Sequence, residues 1–157
     1  MKHVLIRKRI YIDTSVIGGC YDKEFDEWSN QLVVEFIRGI KIAVVSDVML
    51  EELEDAPENV QKRYREIPSE NKESIILDDE ARALANVYLK EKIVTINSLQ
   101  DTRHIALATV NKVDVLVSWN FKHIVNYNKI RLYNSVNLKL GYPMIEIRTP
   151  REILDEA

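Results

Sequence analysis

The sequence predicts an α/β fold with a mainly parallel central sheet and helices on both of its faces. Short β-branched runs alternate with stretches of helical periodicity, and the runs are continuously apolar, as strands covered on both faces must be. Size agrees, because 157 residues of 46% apolar content fit one domain, 1–157, around a single core.

Arg9-Ile10-Tyr11-Ile12 is a β-branched and aromatic run that stops at Asp13-Thr14-Ser15, which predicts a buried strand ending at Asp13. From Glu24 to Arg38, Phe25, Trp28, Leu32 and Phe36 recur at spacings of three and four and mark one helical face, with Gly39 placed to close it. Lys41 to Val45 reads as a second buried strand. Ser46 and Asp47 suit the N-cap of a helix holding Met49, Leu50, Glu52 and Leu53, since a short polar side chain there accepts from a free backbone N–H. Between Glu54 and Asp79 charges dominate and Pro57 and Pro68 punctuate, predicting exposed helix and loop rather than sheet. Helical periodicity returns over Asp79–Lys90 and again over Leu99–Val110. Val113 to Ser118 is a further strand running into Trp119-Asn120, and Met144 to Ile147 is the last. Pro150 opens a short terminal helix, where its missing N–H costs nothing.

Composition narrows the function. The lone Cys20 has no internal partner, no apolar run reaches the roughly 18 residues of a membrane span, and the start, MKHVLIRKRIYID, lacks the long apolar region of a secretory leader. The expectation is a soluble, cytoplasmic protein with no membrane partner. A net charge of −3 and a pI near 5.7 exclude a protein that coats nucleic acid through bulk positive charge. They leave room for an enzyme whose acids hold cations, because the cation then supplies the local positive field.

In a parallel sheet, sites form beyond the carboxyl ends of the strands. Asp13 and Asn120 fall at such ends, Glu52 lies on the helix after the second strand, and Asp101 opens another helix, so one rim receives all four. Phosphodiester hydrolysis needs an activated water, a shielded phosphate and help for the leaving oxygen, all of which Mg²⁺ or Mn²⁺ supplies, and both prefer oxygen ligands. There is no Cys/His set at zinc spacing, no Gly-rich phosphate loop and no serine elbow.

Tyr11-Ile12-Asp13-Thr14-Ser15-Val16-Ile17-Gly18-Gly19 resembles the opening of PIN domains, especially the VapC-like toxins of toxin–antitoxin pairs. Ser46 to Leu53, Asp101 to Ala108 and Val113 to Ile124 resemble the second, third and fourth motifs of that family, in order. The resemblance implies a three-layer α/β/α fold and a metal-dependent endoribonuclease using Mg²⁺ or Mn²⁺ on single-stranded or structured RNA. It implies Asp13, Glu52 and Asp101 as metal ligands. It also implies a cognate antitoxin that inserts into the acidic rim, and a homodimer. The sequence departs from the family at Asn120, where many members carry a fourth acid; an Asn offers a carbonyl oxygen to a metal but no charge. A catalytically weak or inactive binding module of the same fold is the alternative. A phosphoryl-transfer enzyme with Asp13 as nucleophile lacks its expected second acid, since that position is Ser15.

Each residue also has a plain local role. Glu51 is the fallback for Glu52, Ser98-x-x-Asp101 reads as a capping box, and Thr14 and Ser15 either orient Asp13 or start a helix. His104 reads as a packed or solvent-facing histidine rather than a catalytic one, and His123 beside Lys122 meets phosphate or solvent. Asp114 starts its strand and belongs to the wrong rim. The clusters Arg7-Lys8-Arg9 and Lys62-Arg63-x-Arg65 grip a nucleic-acid backbone only if they border the acids.

Overall fold

The computed structural model describes residues 6–155; the leader reading of the amino terminus falls partly on residues 1–5, outside the described residues. Strands β1 (Arg9–Ile12), β2 (Ile42–Ser46), β3 (Lys72–Ile75), β4 (Val115–Val117) and β5 (Ile147–Arg148) form one sheet in the order β3-β2-β1-β4-β5. Every neighbouring pair is parallel, with Tyr11 beside both Val44 and Leu116. Helices α1 (Thr14–Gly18), α2 (Asp26–Ile37), α3 (Asp47–Glu54), α4 (Glu58–Arg65), α5 (Asp79–Lys90), α6 (Leu99–Val110) and α7 (Tyr127–Lys139) complete a three-layer α/β/α sandwich.

The period of two in a strand divides the core into two layers. Ile10, Ile12, Ala43, Val45, Val115 and Val117 face Leu32, Phe36, Met49 and Leu53 of α2 and α3, whereas Tyr11, Val44, Leu116 and Ile147 face α5, α6 and α7. Each fully buried aliphatic or aromatic side chain contributes roughly 1.5–3 kcal/mol.

The structure revises two local expectations and adds a helix that the sequence did not signal. Residues 72–75 form the edge strand β3 rather than loop. Its Lys72 lies over the Tyr64 ring at 4.3 Å and its Glu73 pairs with Arg9, so polar side chains serve an element with one laddered edge. The last strand begins at Ile147, because the N–H and C=O of Ile145 are both taken by the Asn134 side chain (2.8 and 3.1 Å) and Met144 is exposed. Helix α7 carries no apolar stripe that periodicity detects: its inner face includes Asn134 and Asn137, while Leu132 and Leu138 face solvent.

Other local signals act as read. Ser46 caps α3 by accepting from Met49 N at 3.1 Å, Gly39 takes the positive φ of 73° that ends α2, and Pro150 opens a 3-10 turn closed by a Thr149/Glu152 capping box. No helix among the described residues is long and apolar enough to cross a membrane.

Candidate functional site

Three adjacent strands end at polar residues: β2 at Ser46, β1 before Asp13 and β4 before Ser118. Asp13 is 5% exposed, and each of its oxygens accepts one serine hydroxyl at 2.5 Å, Oδ1 from Ser15 and Oδ2 from Ser118. The same two serines accept the backbone N–H groups of Trp119 and Asn120, both at 2.9 Å, so the loop after β4 is tied to the end of β1 through them. Ser15 thereby orients Asp13 as expected, and Ser118 is a partner that sequence gave no reason to single out. Each carboxylate oxygen keeps a lone pair free.

Glu52 projects from α3. Its Oε1 lies 2.6 Å from Nε2 of His104 and its Oε2 lies 3.4 Å from Thr14 Oγ1, whereas Glu51 is exposed. His104 is packed, at 2% exposure, and its Nδ1 meets Tyr11 Oη at 2.6 Å; Tyr11 Oη in turn meets Ser46 Oγ at 2.7 Å. One proton pattern satisfies the whole chain with a neutral imidazole: Ser46 donates to Tyr11, Tyr11 to His104 Nδ1, and His104 Nε2–H to an ionised Glu52. His104 is therefore bound directly to a candidate ligand, which its spacing from Asp101 did not reveal.

Asp101 sits in the first turn of α6, and Ser98 makes no side-chain capping bond, so the capping-box alternative is not formed. Its Oδ1 accepts from Asn120 Nδ2 at 3.1 Å. Asn120 Oδ1 accepts from the backbone N–H of His123 at 3.0 Å, which fixes the amide orientation. In this arrangement Asn120 positions Asp101 and closes the loop after β4 with both ends of its amide occupied.

The electrostatics show the acids sharing one field. Burial pushes the Asp13 carboxyl up, with His104 and the two serine hydroxyls opposing and the Glu52 charge adding. Burial also raises Asp101, opposed by His104 and His123 and reinforced by Asp13 and Glu52. For His104 burial alone acts downward, yet its hydrogen bond to Glu52 and the charges of Glu52, Asp13 and Asp101 together raise it. The three acids offer only oxygen donors, the kind a hard cation prefers. Among the described residues no three His, Cys, Asp or Glu side chains are grouped closely enough to hold a metal ion, so the acids do not form a ready-made ligand cage.

Other surfaces do not compete. Asp114 accepts from Arg9 N at 2.7 Å at the start of β4, and Arg9 and Arg7 are engaged by Glu73 and Asn71 at that same amino-terminal end of the sheet, away from the acids. A cavity of about 530 Å³ also lies there, beside Lys8, Ile10 and Asp114, and its Lys41 and Arg148 are paired with acids.

No protein-family model and no curated protein matches the chain. Solved structures do. The VapBC2 structure from Rickettsia felis, bound to a DNA fragment from its promoter, superposes with a TM-score of 0.57 at 15% identity over 90% of this chain and 98% of that one. The fold is PIN-like. VapC20 from Mycobacterium tuberculosis, a Sarcin-Ricin loop cleaving toxin, gives 0.56 at 12% identity over 73% of this chain and 92% of that one. A toxin–antitoxin complex from Klebsiella pneumoniae gives 0.53 at 14% identity over 73% and 88%. At such identities the likeness is one of fold.

Proposed function

We propose that the chain is a Mg²⁺- or Mn²⁺-dependent endoribonuclease and the toxin of a type II toxin–antitoxin pair. What supports this is that short hydrogen-bonded links tie three separate segments together at the carboxyl rim of a PIN-like sheet: Ser118 and Asn120 connect buried Asp13 to Asp101, and Thr14 connects to Glu52. The three carboxylates would hold the cation, directly or through water, and the cation would supply charge compensation for the phosphodiester and a nucleophilic water. The chain does the rest. Ser15 and Ser118 fix both oxygens of Asp13, His104 fixes one oxygen of Glu52, and Asn120 fixes Asp101, so the ligands need little reorganisation when substrate arrives. A soluble toxin of this kind would be held inactive by an antitoxin covering the rim, and would pair with a second copy through apolar helix faces; Leu132 and Leu138 of α7 offer such a face.

The test is incubation with mixed single-stranded and structured RNAs and Mn²⁺, with and without chelator, for the wild type and Asp13→Asn. Chelator-sensitive cleavage that the variant lacks is expected; equal cleavage by both proteins overturns the proposal. One observation favours the alternative of an inactive binding module, namely that the Asn120 amide is spent within the protein. Calorimetry detecting no bound Mn²⁺ at millimolar concentration would establish that alternative.

A further inference from the structure

The loop after β4 carries aromatic rings that neither the sheet nor the acids require. Trp119 is buried, its Nε1 donating to Ser29 Oγ at 2.8 Å, and it stacks on Phe25 with centroids 4.1 Å apart and planes 16° apart. Phe121 stands 6.1 Å from both rings and remains 50% exposed, one residue beyond Asn120, which holds Asp101. This half-bare ring has an aromatic backing and follows directly in the chain on the residue that bonds Asp101.

The charges around it are divided. Asp22, Glu24, Asp26 and Glu27 lie along the chain on the Phe25 side, where Asp22 accepts from Glu24 N and Asp26 and Glu27 occupy the first turn of α2. On the Phe121 side stand exposed Lys122 and half-buried His123 and Lys129, the Lys129 Nζ lying 3.1 Å from His123 Nδ1. A ligand that stacks flat on Phe121 and carries anions toward Lys122 and Lys129 satisfies both halves of the surface, and a single-stranded nucleotide chain has that make-up. A base-paired duplex does not present a free base face to the ring.

We propose that Phe121, backed by Trp119 and Phe25, is a base-stacking subsite that seats one unpaired nucleobase next to the phosphodiester at Asp13, Glu52 and Asp101; this rests on reading those acids as a nuclease centre. The subsite makes single-strandedness a requirement of binding, before any chemistry.

Both tryptophans of the chain, Trp28 and Trp119, belong to this cluster, so intrinsic fluorescence reports on it. The experiment titrates the intact protein, in chelator, with a short single-stranded RNA, the same RNA with one abasic position, and its duplex. Quenching by the single strand, weaker binding of the abasic strand and little response to duplex are expected. Phe121→Ala and Phe121→Leu should each lower affinity about five- to hundredfold, and Phe121→Tyr should keep it. Exposed Phe121 is not needed for folding, and unchanged melting temperatures check this. Affinity retained by Phe121→Leu would mark a merely apolar patch, one suited to a protein partner, and would overturn the subsite, as would equal binding of duplex or no binding at all. Cleavage by wild type and Asp13→Asn is scored separately, so a failed subsite leaves the nuclease reading standing and a failed nuclease reading leaves strand binding measurable.

Discussion

Asp13 is held with its carboxyl above the ordinary range chiefly by burial, Asp101 likewise, and His104 is raised by the acids around it. All three bind protons more readily in the folded chain than in the unfolded one. Their contribution to stability is therefore complete below their unfolded pKa values and is lost as pH rises through the folded ones. Half-buried His123, lowered by burial and the neighbouring lysines, acts in the opposite direction, and Glu73, lowered by Arg9, changes only in more acidic solution. The chelated protein should thus melt higher at about pH 5.5 than at about pH 8. Asp13→Asn should flatten that difference and stabilise the chelated protein at pH 8 by roughly 0.5–2 kcal/mol, a few degrees, while abolishing cleavage. An Asn variant that melts below the wild type at pH 8 would show that the buried charge is already well compensated. Asp13 was legible because a polar triplet ends an apolar run; His104 was not, because a histidine on the inner face of a helix looks the same whether it fills space or binds Glu52. His104→Leu should lower cleavage at least tenfold and His104→Gln, whose amide reaches the Nε2 position, should restore much of it. Equal loss in both, at equal melting temperature, would remove the positioning role.

At the scale of elements, the central strands β1, β2 and β4 were readable because burial on both faces makes them continuously apolar. Edge and polar elements were not. β3 has one laddered edge and spends its side chains on Arg9 and Tyr64, and α7 packs through Asn137, whose Nδ2 donates to Thr109 and whose Oδ1 accepts from Tyr88, so hydrogen bonding replaces the apolar stripe. The junction of α1 with α2 shows the same dependence on partners invisible in sequence. A Cβ on Gly19 would stand 2.4 Å from Ser29 Oγ and 2.7 Å from Trp119 Nε1, within the bond that locks the Trp119 ring. Gly19→Ala should cost about 1–3 kcal/mol and shift tryptophan emission to the red as the indole is displaced toward water. An unchanged melting temperature and emission maximum would show that the ring has room to move.

At the scale of the molecule, the net charge predicts that bulk charge would not bind a nucleic-acid substrate, which leaves a few local cations for that task. The chain is net −3, the arginines at the amino-terminal end of the sheet are engaged away from the acids, and Lys122 and Lys129 flank His123 on the segment that follows Asn120. The acids were found from strand ends and motif order, but the cations were not, since a lysine on a loop carries no pattern that says which rim it borders. If strand binding uses only these lysines, with or without a third contact from Arg151, which lies over Trp28 at 4.8 Å, about two or three phosphates are neutralised. Single-stranded RNA binding in chelator should then weaken with salt along a shallow logarithmic slope of about −1.5 to −2, at roughly 0.7 per phosphate, with the remaining affinity carried by stacking. Lys122→Ala should reduce the slope by nearly one contact and leave fluorescence quenching at saturation intact. A measured slope steeper than about −4 would require a larger basic surface, and the exposed Lys62 and Arg65 of α4 would then be the residues to substitute next.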